Sequence, residues 1–398
     1  MRISTAQIHR STIEAMNDRS AALAKTGSQL ASGKRVQSPS DDPAASVHIQ
    51  DLQKSLSESQ QFIKNGDAAT TRLSYEDQSL SDATSILQRI RDLTVQANSG
   101  TLAAADRNSI LTEVSQREQD LIDLSNRRDS NGDYLFAGFS SQTQPFSRNG
   151  ATVTYSGDQG VRSLQIGATQ RIADGDSGYD IFMNIPAGNG TFVTSAGAGN
   201  TGNGAIDAGS ITNPTTWTSD TYTISFTSGT AWQATDSTGT VVSTGTFSPG
   251  GAVAFGGASV TIQGQPAAGD TFTLTPSSSM DMFTTLDNLR AALAAPGDTD
   301  PQKAQFATSM GATLQQLDQS LDHLSSLRAQ VGSRMNAIDT AQASQQDLQL
   351  DLNTSISQLQ DLDYASAISQ LSLQQAGLQA AQASYAKIAQ LSLFDYLR

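Results

Sequence analysis

The chain of 398 residues contains no cysteine, which removes disulfides, thiolate metal sites, iron–sulfur clusters and cysteine nucleophiles at once. Histidine is nearly as scarce: His9, His48 and His323 stand alone in helical-looking segments, outside any HExxH spacing, and read as solvated helix-surface residues. Charged residues make up 16% and aromatics 6%, so the surface must be largely Ser, Thr, Gln, Asn, Gly and Ala. Lys and Arg total 24 against 38 Asp and Glu, and a net charge of -14 opposes nucleic-acid binding, which demands a basic face. No apolar run approaches the roughly 18 residues of a membrane-spanning helix, and the opening Met1-Arg2-Ile3-Ser4-Thr5 does not begin a secretory signal. The expectation is a soluble chain without a cleaved Sec-type signal.

What is present is unevenly distributed. At about 150 residues per domain the length predicts two or three domains. Of 32 glycines, only Gly27, Gly33, Gly66 and Gly100 precede residue 127 and only Gly297, Gly311, Gly332 and Gly377 follow residue 289. No Lys or Arg occurs between Arg171 and Arg290, which marks the middle as a separate, weakly acidic module.

Outside that module the periodicity is helical. Ile13, Met16, Ser20, Leu23, Gly27 and Leu30 step by threes and fours, a heptad seam that calls for a partner helix. Ser38-Pro39-Ser40-Asp41-Asp42-Pro43 breaks it, and Asp42 reads as an N-cap with Pro43 in the first helical position. A second helix is predicted from there to about residue 98, and a third over about 104–126. Met310, Leu314, Leu317, Leu321, Leu324, Arg328, Val331, Met335 and Ile338 alternate by four and three, and the register passes through Gln342, Gln345 and Gln349 to Leu352, Ile356 and Leu359. One helix over 310–359 would be about 75 Å long at roughly 1.5 Å per residue, more than a globular core uses. Tyr364, Ile368, Leu371, Gln375, Leu378, Gln382 and Tyr385 repeat the spacing, so the chain ends are expected to pair. Seams holding Gly, Ser and Gln are weaker than seams of Leu and Ile, which suits conditional pairing.

In the middle, residues 153–155 and 164–166 around Ser156-Gly157-Asp158 predict a small β-hairpin. Period-two stretches at 221–226, 240–242, 259–262 and 271–274 predict a compact antiparallel β domain, and the low-complexity residues 195–213 a surface loop or extended edge. Gly197-Ala198-Gly199-Asn200-Thr201-Gly202 matches GxGxxG, but no helix follows to receive a pyrophosphate. Gly27 to Gly33-Lys34 misses the phosphate-loop spacing by one residue, and Arg35 stands where Ser or Thr binds magnesium. Asp174-Gly175-Asp176-Ser177-Gly178-Tyr179-Asp180 lacks the calcium-loop glycine and terminal Glu and reads as a turn. The adjacent carboxylates Asp41 and Asp42 need only a capping role, and nothing resembles a GxSxG elbow. No catalytic, cofactor-binding or metal residue is assigned, and the chain is not expected to be an enzyme.

Ser32-Gly33-Lys34-Arg35-Val36-Gln37-Ser38-Pro39-Ser40-Asp41-Asp42-Pro43-Ala44-Ala45 closely resembles the N-terminal stretch of the bacterial flagellin superfamily. Met1 to Thr5, Asn131-Gly132-Asp133-Tyr134-Leu135-Phe136-Ala137-Gly138 and the end Leu391-Ser392-Leu393-Phe394-Asp395-Tyr396-Leu397 are similar to its hook–filament junction branch. Leu362-Asp363-Tyr364-Ala365 and residues 374–390 match the superfamily's C-terminal helix. The resemblance covers about the first 145 and last 110 residues.

It implies a mainly α fold with an inserted β domain: an elongated rod of long coiled-coil-like helices from both chain ends, a small β-hairpin and an outer antiparallel β domain. The expected domains are an inner terminal-helix domain (1–42 and 356–398), a helical rod domain with the hairpin (43–173 and 281–355) and the outer β domain (174–280). Pattern and resemblance together nominate Ile13, Met16, Leu23, Leu30, Ile368, Leu371, Leu378 and Leu391 for inner-layer packing. Ser38, Pro39, Asp41, Asp42 and Pro43 are the expected hinge, where prolines fix the backbone. The implied location is the extracellular flagellum, reached by flagellar type III export. The implied partners are flagellin, the first hook-associated protein, copies of the chain in a ring, and an export chaperone touching Leu371, Leu378, Tyr385, Leu393 and Phe394. Neither a nucleic acid nor a membrane is among them. Two alternatives stay open: a filament flagellin, and a flagellum-borne adhesin whose β module recognises a sugar.

Overall fold

The computed structural model describes residues 5–99, 103–150, 152–295, 297 and 299–396, and the side chains of these except at 5, 6, 8 and 388–396. Six α-helices are formed among the described residues: α1 (Thr5–Ser32), α2 (Pro43–Ala97), α3 (Ala104–Ser125), α4 (Met282–Ala294), α5 (Asp300–Gln360) and α6 (Tyr364–Tyr396). The chain divides into two compact units, Met1–Lys64 with Ala341–Arg398, and Asn65–Thr340. Both α2 and α5 supply residues to each unit.

In the first unit α1 lies against α6, and the first part of α2 meets the last part of α5 through polar contacts. The seam positions Gln342 and Gln349 carry those contacts: Gln342 Nε2 donates to Ile63 O (3.2 Å) and Gln349 Nε2 to Ser59 Oγ (3.3 Å). Ser59, almost fully buried, donates in turn to Gln345 O (3.2 Å). A polar heptad thus becomes a hydrogen-bonded interface, satisfying groups that burial would otherwise strand.

In the second unit the α5 seam is apolar. Met310, Leu317, Leu324, Val331 and Ile338 recur every seventh residue and are no more than 1% exposed, while Leu314, Leu321, Arg328 and Met335 are half-buried. Opposite them α2 buries Leu73, Leu80, Leu87, Ile90 and Leu93, each worth about 1.5–3 kcal/mol. Ion pairs flank the seam, Arg91–Asp318 (2.6 Å) and Arg328–Asp77 (3.0 Å), and Arg89–Glu113 (2.7 Å) ties α2 to α3. Helix α4 has no counterpart in the sequence reading. Asp281 caps it, accepting from Thr284 N–H (2.6 Å), and it buries Met282, Phe283, Leu286, Leu289 and Leu293.

The β module contains a five-stranded antiparallel sheet in the order Val241–Thr246, Ala231–Thr235, Tyr222–Ser228, Thr271–Pro276, Phe192–Ala196. A smaller sheet joins Ala252–Phe255, Ala258–Gln263, Ala205–Ile206 and Ser210–Ile211. Alternation places Tyr222, Ile224, Phe226, Val260, Ile262, Phe272 and Leu274 in one shared core. All four predicted strands are present.

One expectation is corrected and one alternative is decided. The hairpin does not pair 153–155 with 164–166. Thr152–Tyr155 turns back onto Phe146–Asn149, and Ser163–Gln165 pairs instead with Arg171–Ala173. Phe146 is the reason: it is fully buried against Phe182 and Phe283, which fixes its strand as the inner partner. Of the two readings of residues 195–213, the extended edge is the one found, with turns between its strands. These residues contribute to three strands, and Ile206, 3% exposed, belongs to the β core.

Candidate functional site

The segment from Gly33 to Pro43, between α1 and α2, is pinned to the break between α5 and α6. Arg35 N–H donates to Gln360 O (2.7 Å) and Leu362 N–H to Gly33 O (2.9 Å), a one-pair antiparallel bridge centred on Lys34 and Asp361. The Arg35 guanidinium donates to Leu359 O (2.7 Å) and pairs with Asp42 (3.4 Å). Beneath it Val36, Ala45 and Ile49 form a small apolar cluster against Leu359. Gly33 has φ +70°, which favours glycine, and a Cβ there would stand 2.7 Å from Tyr364 Oη and push that exposed ring aside.

The carboxylates build the rest of the joint. Asp41 pairs with Lys25 (2.8 Å) and accepts from Ser38 N–H (3.0 Å) and Gln37 N–H (3.1 Å). The Lys25 bond foremost, then those two amides, hold its carboxyl down at about 2. Asp42 accepts from Ala45 N–H (3.0 Å) at the start of α2, and that bond with Arg35 keeps it below the usual carboxylate range. Asp363 plays the matching part for α6, accepting from Ala365 N–H (3.0 Å).

Along the α1–α6 pair the His9 and Tyr385 rings meet edge-on at 5.6 Å, and the Gly377 backbone lies against the Arg19 guanidinium. Met16, Leu23, Leu30, Leu371, Leu378 and Tyr385 are half-buried. Ile13 and Ile368 are 45% and 52% exposed, and Leu373 is 71% exposed. Leu391, Leu393 and Phe394 fall in α6, with side chains outside the described set. The structure therefore places the sequence-nominated residues on two adjacent helices while leaving Ile13 and Ile368 largely open to solvent. Sequence reading missed the exposed Val47, Leu348, Leu350 and Leu373, which sit off the heptad positions it followed. It also missed the Arg35 bridge, for which no local spacing rule exists.

The motifs set aside as chemistry acquire structural roles. Asp270, 1% exposed, accepts from Thr201 N–H (2.8 Å), Gly202 N–H (3.0 Å) and Ala267 N–H (2.8 Å), so the amides that a phosphate would need are engaged within the chain. In the 174–180 segment Asp174 pairs with Arg162 (2.8 Å), and Asp176 takes a two-pronged bond from Arg334 (3.0 and 2.8 Å). Behind them lies Glu76, 2% exposed, accepting from Asp176 N–H (3.1 Å) through one oxygen, with the other unpaired. Burial, reinforced by the Asp176 charge, pushes Glu76 up to about 8. A second buried carboxylate, Glu118, is held by Arg148 and Arg290, and desolvation raises it too. Among the described residues no group of three or more His, Asp or Glu is placed to hold a metal, and no helix is long and apolar enough to cross a membrane.

Two paired terminal helices, a capped joint and an inserted β sandwich define a flagellin-type subunit. The family description "bacterial flagellin N-terminal helical region" matches residues 3–141 and "bacterial flagellin C-terminal helical region" residues 314–397. Residues 195–276 match the D2-like domain of flagellar hook-associated protein 1. Flagellar hook-associated protein 3 of Escherichia coli K12 is 25% identical over 396 residues, 99% of each chain. The crystal structure of Xanthomonas campestris FlgL is 30% identical, with TM-score 0.73 over 77% of this chain and 99% of that one. The flagellar junction protein FlgL of Legionella pneumophila is 28% identical, with TM-score 0.72 over 79% of this chain and 100% of that one. An Escherichia coli flagellin, by contrast, matches over 38% of this chain and 28% of its own length. The chain belongs to the flagellar hook-associated protein 3, or FlgL, family within the flagellin superfamily. It is a structural component of the flagellum, at the junction of hook and filament.

Proposed function

We propose that copies of this chain form a ring between the first hook-associated protein and flagellin, joining a flexible hook to a stiff filament and permitting filament assembly and motility. The observation that carries this reading is the α1–α6 pair, which leaves Ile13, Ile368 and Leu373 exposed on helices of otherwise half-buried seams. Apolar side chains left exposed along a helix pair suit contacts with further helices. On this reading Ile13, Met16, Leu23 and Leu30 pack with Ile368, Leu371, Leu378 and Leu391 in an inner layer, and Ser38 to Pro43 set the angle of the joint. The domains are 1–42 with 356–398, 43–173 with 281–355, and 174–280. Export runs through the flagellar type III apparatus, with a chaperone covering Leu371, Leu378, Tyr385, Leu393 and Phe394. Immunogold labelling of intact flagella with an antibody against residues 174–280 tests the reading. One cluster of label at the hook–filament boundary is expected. Label along the whole filament makes the chain a flagellin, and absence of flagellar label overturns both.

A further inference from the structure

A cavity of about 500 Å³ opens between α2, the turn at 129–131 and the strand Ser163–Gln165, and none of the residues assigned to the junction lines it. Four charged side chains do, and their charges cancel. Arg72 pairs with Asp129 (3.1 Å) and Arg162 with Asp174 (2.8 Å), while Arg72 Nε stands 3.9 Å from Asp174. Arg72, Asp129 and Asp174 are each less than one-tenth exposed, whereas Arg162 is 38% exposed. The turn is held as firmly, Asp129 accepting from Asn131 N–H (2.8 Å) and Asp133 N–H (3.1 Å). Walls fixed in this way lose little conformational entropy when something binds to them.

Around the paired charges stand polar groups with hydrogen-bonding capacity to spare. Among the described residues the side chains of Tyr75, Ser130 and Asn131 bond to nothing else in the chain, and all three line the cavity. Arg162 bonds through Nη2, which leaves its Nε and Nη1 donors for a ligand. Tyr75 is 39% exposed, so its ring also offers the cavity an open apolar surface.

Charge decides what fits. A phosphate or carboxylate would meet Asp129 and Asp174, and an amine would meet Arg72 and Arg162, each without a free counter-charge. An apolar molecule would strip water from all four charged groups. A sugar hydroxyl both donates and accepts, so one neutral group can take an N–H from Arg162 while giving its proton to a neighbouring carboxylate or to Asn131 Oδ1. The C–H face of a sugar ring suits the Tyr75 ring, and the volume is that of a small-molecule pocket. We propose that this cavity binds a neutral saccharide, with Tyr75 against one ring face and Arg162, Asn131 and Ser130 on its hydroxyls.

The inference goes beyond the ring reading and does not depend on it. The probes are the methyl glycosides of glucose, galactose, mannose and N-acetylglucosamine, offered to the full chain at about 1–10 mM and read by saturation-transfer difference NMR. At least one is expected to receive saturation, strongest on the protons of one ring face. Tyr75→Ala and Asn131→Leu should each weaken that sugar about tenfold, and Tyr75→Phe, which keeps the ring, should weaken it less. Circular dichroism matching the parent's shows that the variants fold. Silence from all four glycosides overturns the proposal, as does transfer that survives unchanged in both Tyr75→Ala and Asn131→Leu. Displacement of the sugar by inorganic phosphate or by ammonium makes this an ion site and also overturns it. The same sugar coupled to serum albumin separates the two sources: capture of the conjugate identifies a sugar carried on a macromolecule, and binding of the glycoside alone a free one.

Discussion

Glu76 provides a quantitative test of how the second unit is held together. With Glu76 ionised, four carboxylates, Glu76, Asp129, Asp174 and Asp176, face three guanidinium groups, those of Arg72, Arg162 and Arg334. Protonation of Glu76 balances the cluster and lets its carboxyl donate toward Asp176. Its folded value of about 8 lies above the ordinary 4.5, so its stabilising contribution is fully present below pH 4.5 and is lost as pH rises through 8. At 1.36 kcal/mol per unit the loss amounts to on the order of 5 kcal/mol at most. Glu76→Gln keeps the shape and fixes the neutral state. Both tryptophans, Trp217 and Trp232, lie in the same unit, so urea unfolding followed by their fluorescence reports on it. Between pH 5 and pH 9 the parent's stability is expected to fall relative to the variant by several kcal/mol, leaving the Glu76→Gln variant the more stable chain at pH 9. Parallel curves across that range would show that Glu76 is ionised when folded and that the charge-balance reasoning is wrong.

Gly33→Ala meets a φ of +70° and a contact 2.7 Å from Tyr364 Oη. A loss of about 1–3 kcal/mol at the joint is expected, read as faster proteolysis within residues 33–43. Asp41, held at about 2 against an unfolded value of 3.8, contributes stability above pH 3.8 that is lost as pH falls through 2. Asp41→Asn should therefore raise hydrogen exchange at Gln37 and Ser38 at neutral pH, and equal exchange in both proteins would refute it. Asp42→Ala removes the α2 cap and should lower the thermal unfolding midpoint, and an unchanged midpoint would refute the capping role. Leu371→Asp with Leu378→Asp should abolish junction formation in flagellated cells, and normal junctions in the double variant would remove these residues from the inner layer.

The helical frame was legible because its signals are local. Asp42-Pro43 announces the start of α2, Ser99-Gly100 follows its end, and the four–three alternation marks α5 through the glutamines that bond to Ser59 and Ile63. Strands 222–228, 258–263 and 271–276 were legible from alternation alone. The hairpin register was not, because Val153 to Tyr155 alternates equally well toward either neighbour and burial of Phe146 decides between them. Likewise Asp176 and Glu76 are 100 residues apart, and no window along the chain shows that a turn and a helix interior share one proton-sensitive cluster.

The two units differ in how much core they carry, and that difference bears on assembly. The second unit buries Leu73, Leu80, Leu87, Leu317, Leu324 and a full β core. In the first, the buried apolar residues among the described ones are Val36, Ala45, Ile49, Ala341, Leu352 and Ala367, three of them alanine. Ile13, Val47, Leu348, Leu350, Ile368 and Leu373 lie exposed on its helices. Ordering a helix costs roughly 1–2 kcal/mol per residue in backbone entropy, and burial of few and small side chains offsets little of it. A second layer of helices covering those exposed residues would add about 25 cal/mol for each Å² removed from water. On the proposed reading, then, the Ser, Gly and Gln that weaken the α1 and α6 seams keep the terminal pair marginal alone and let the ring, not the single chain, supply its stability.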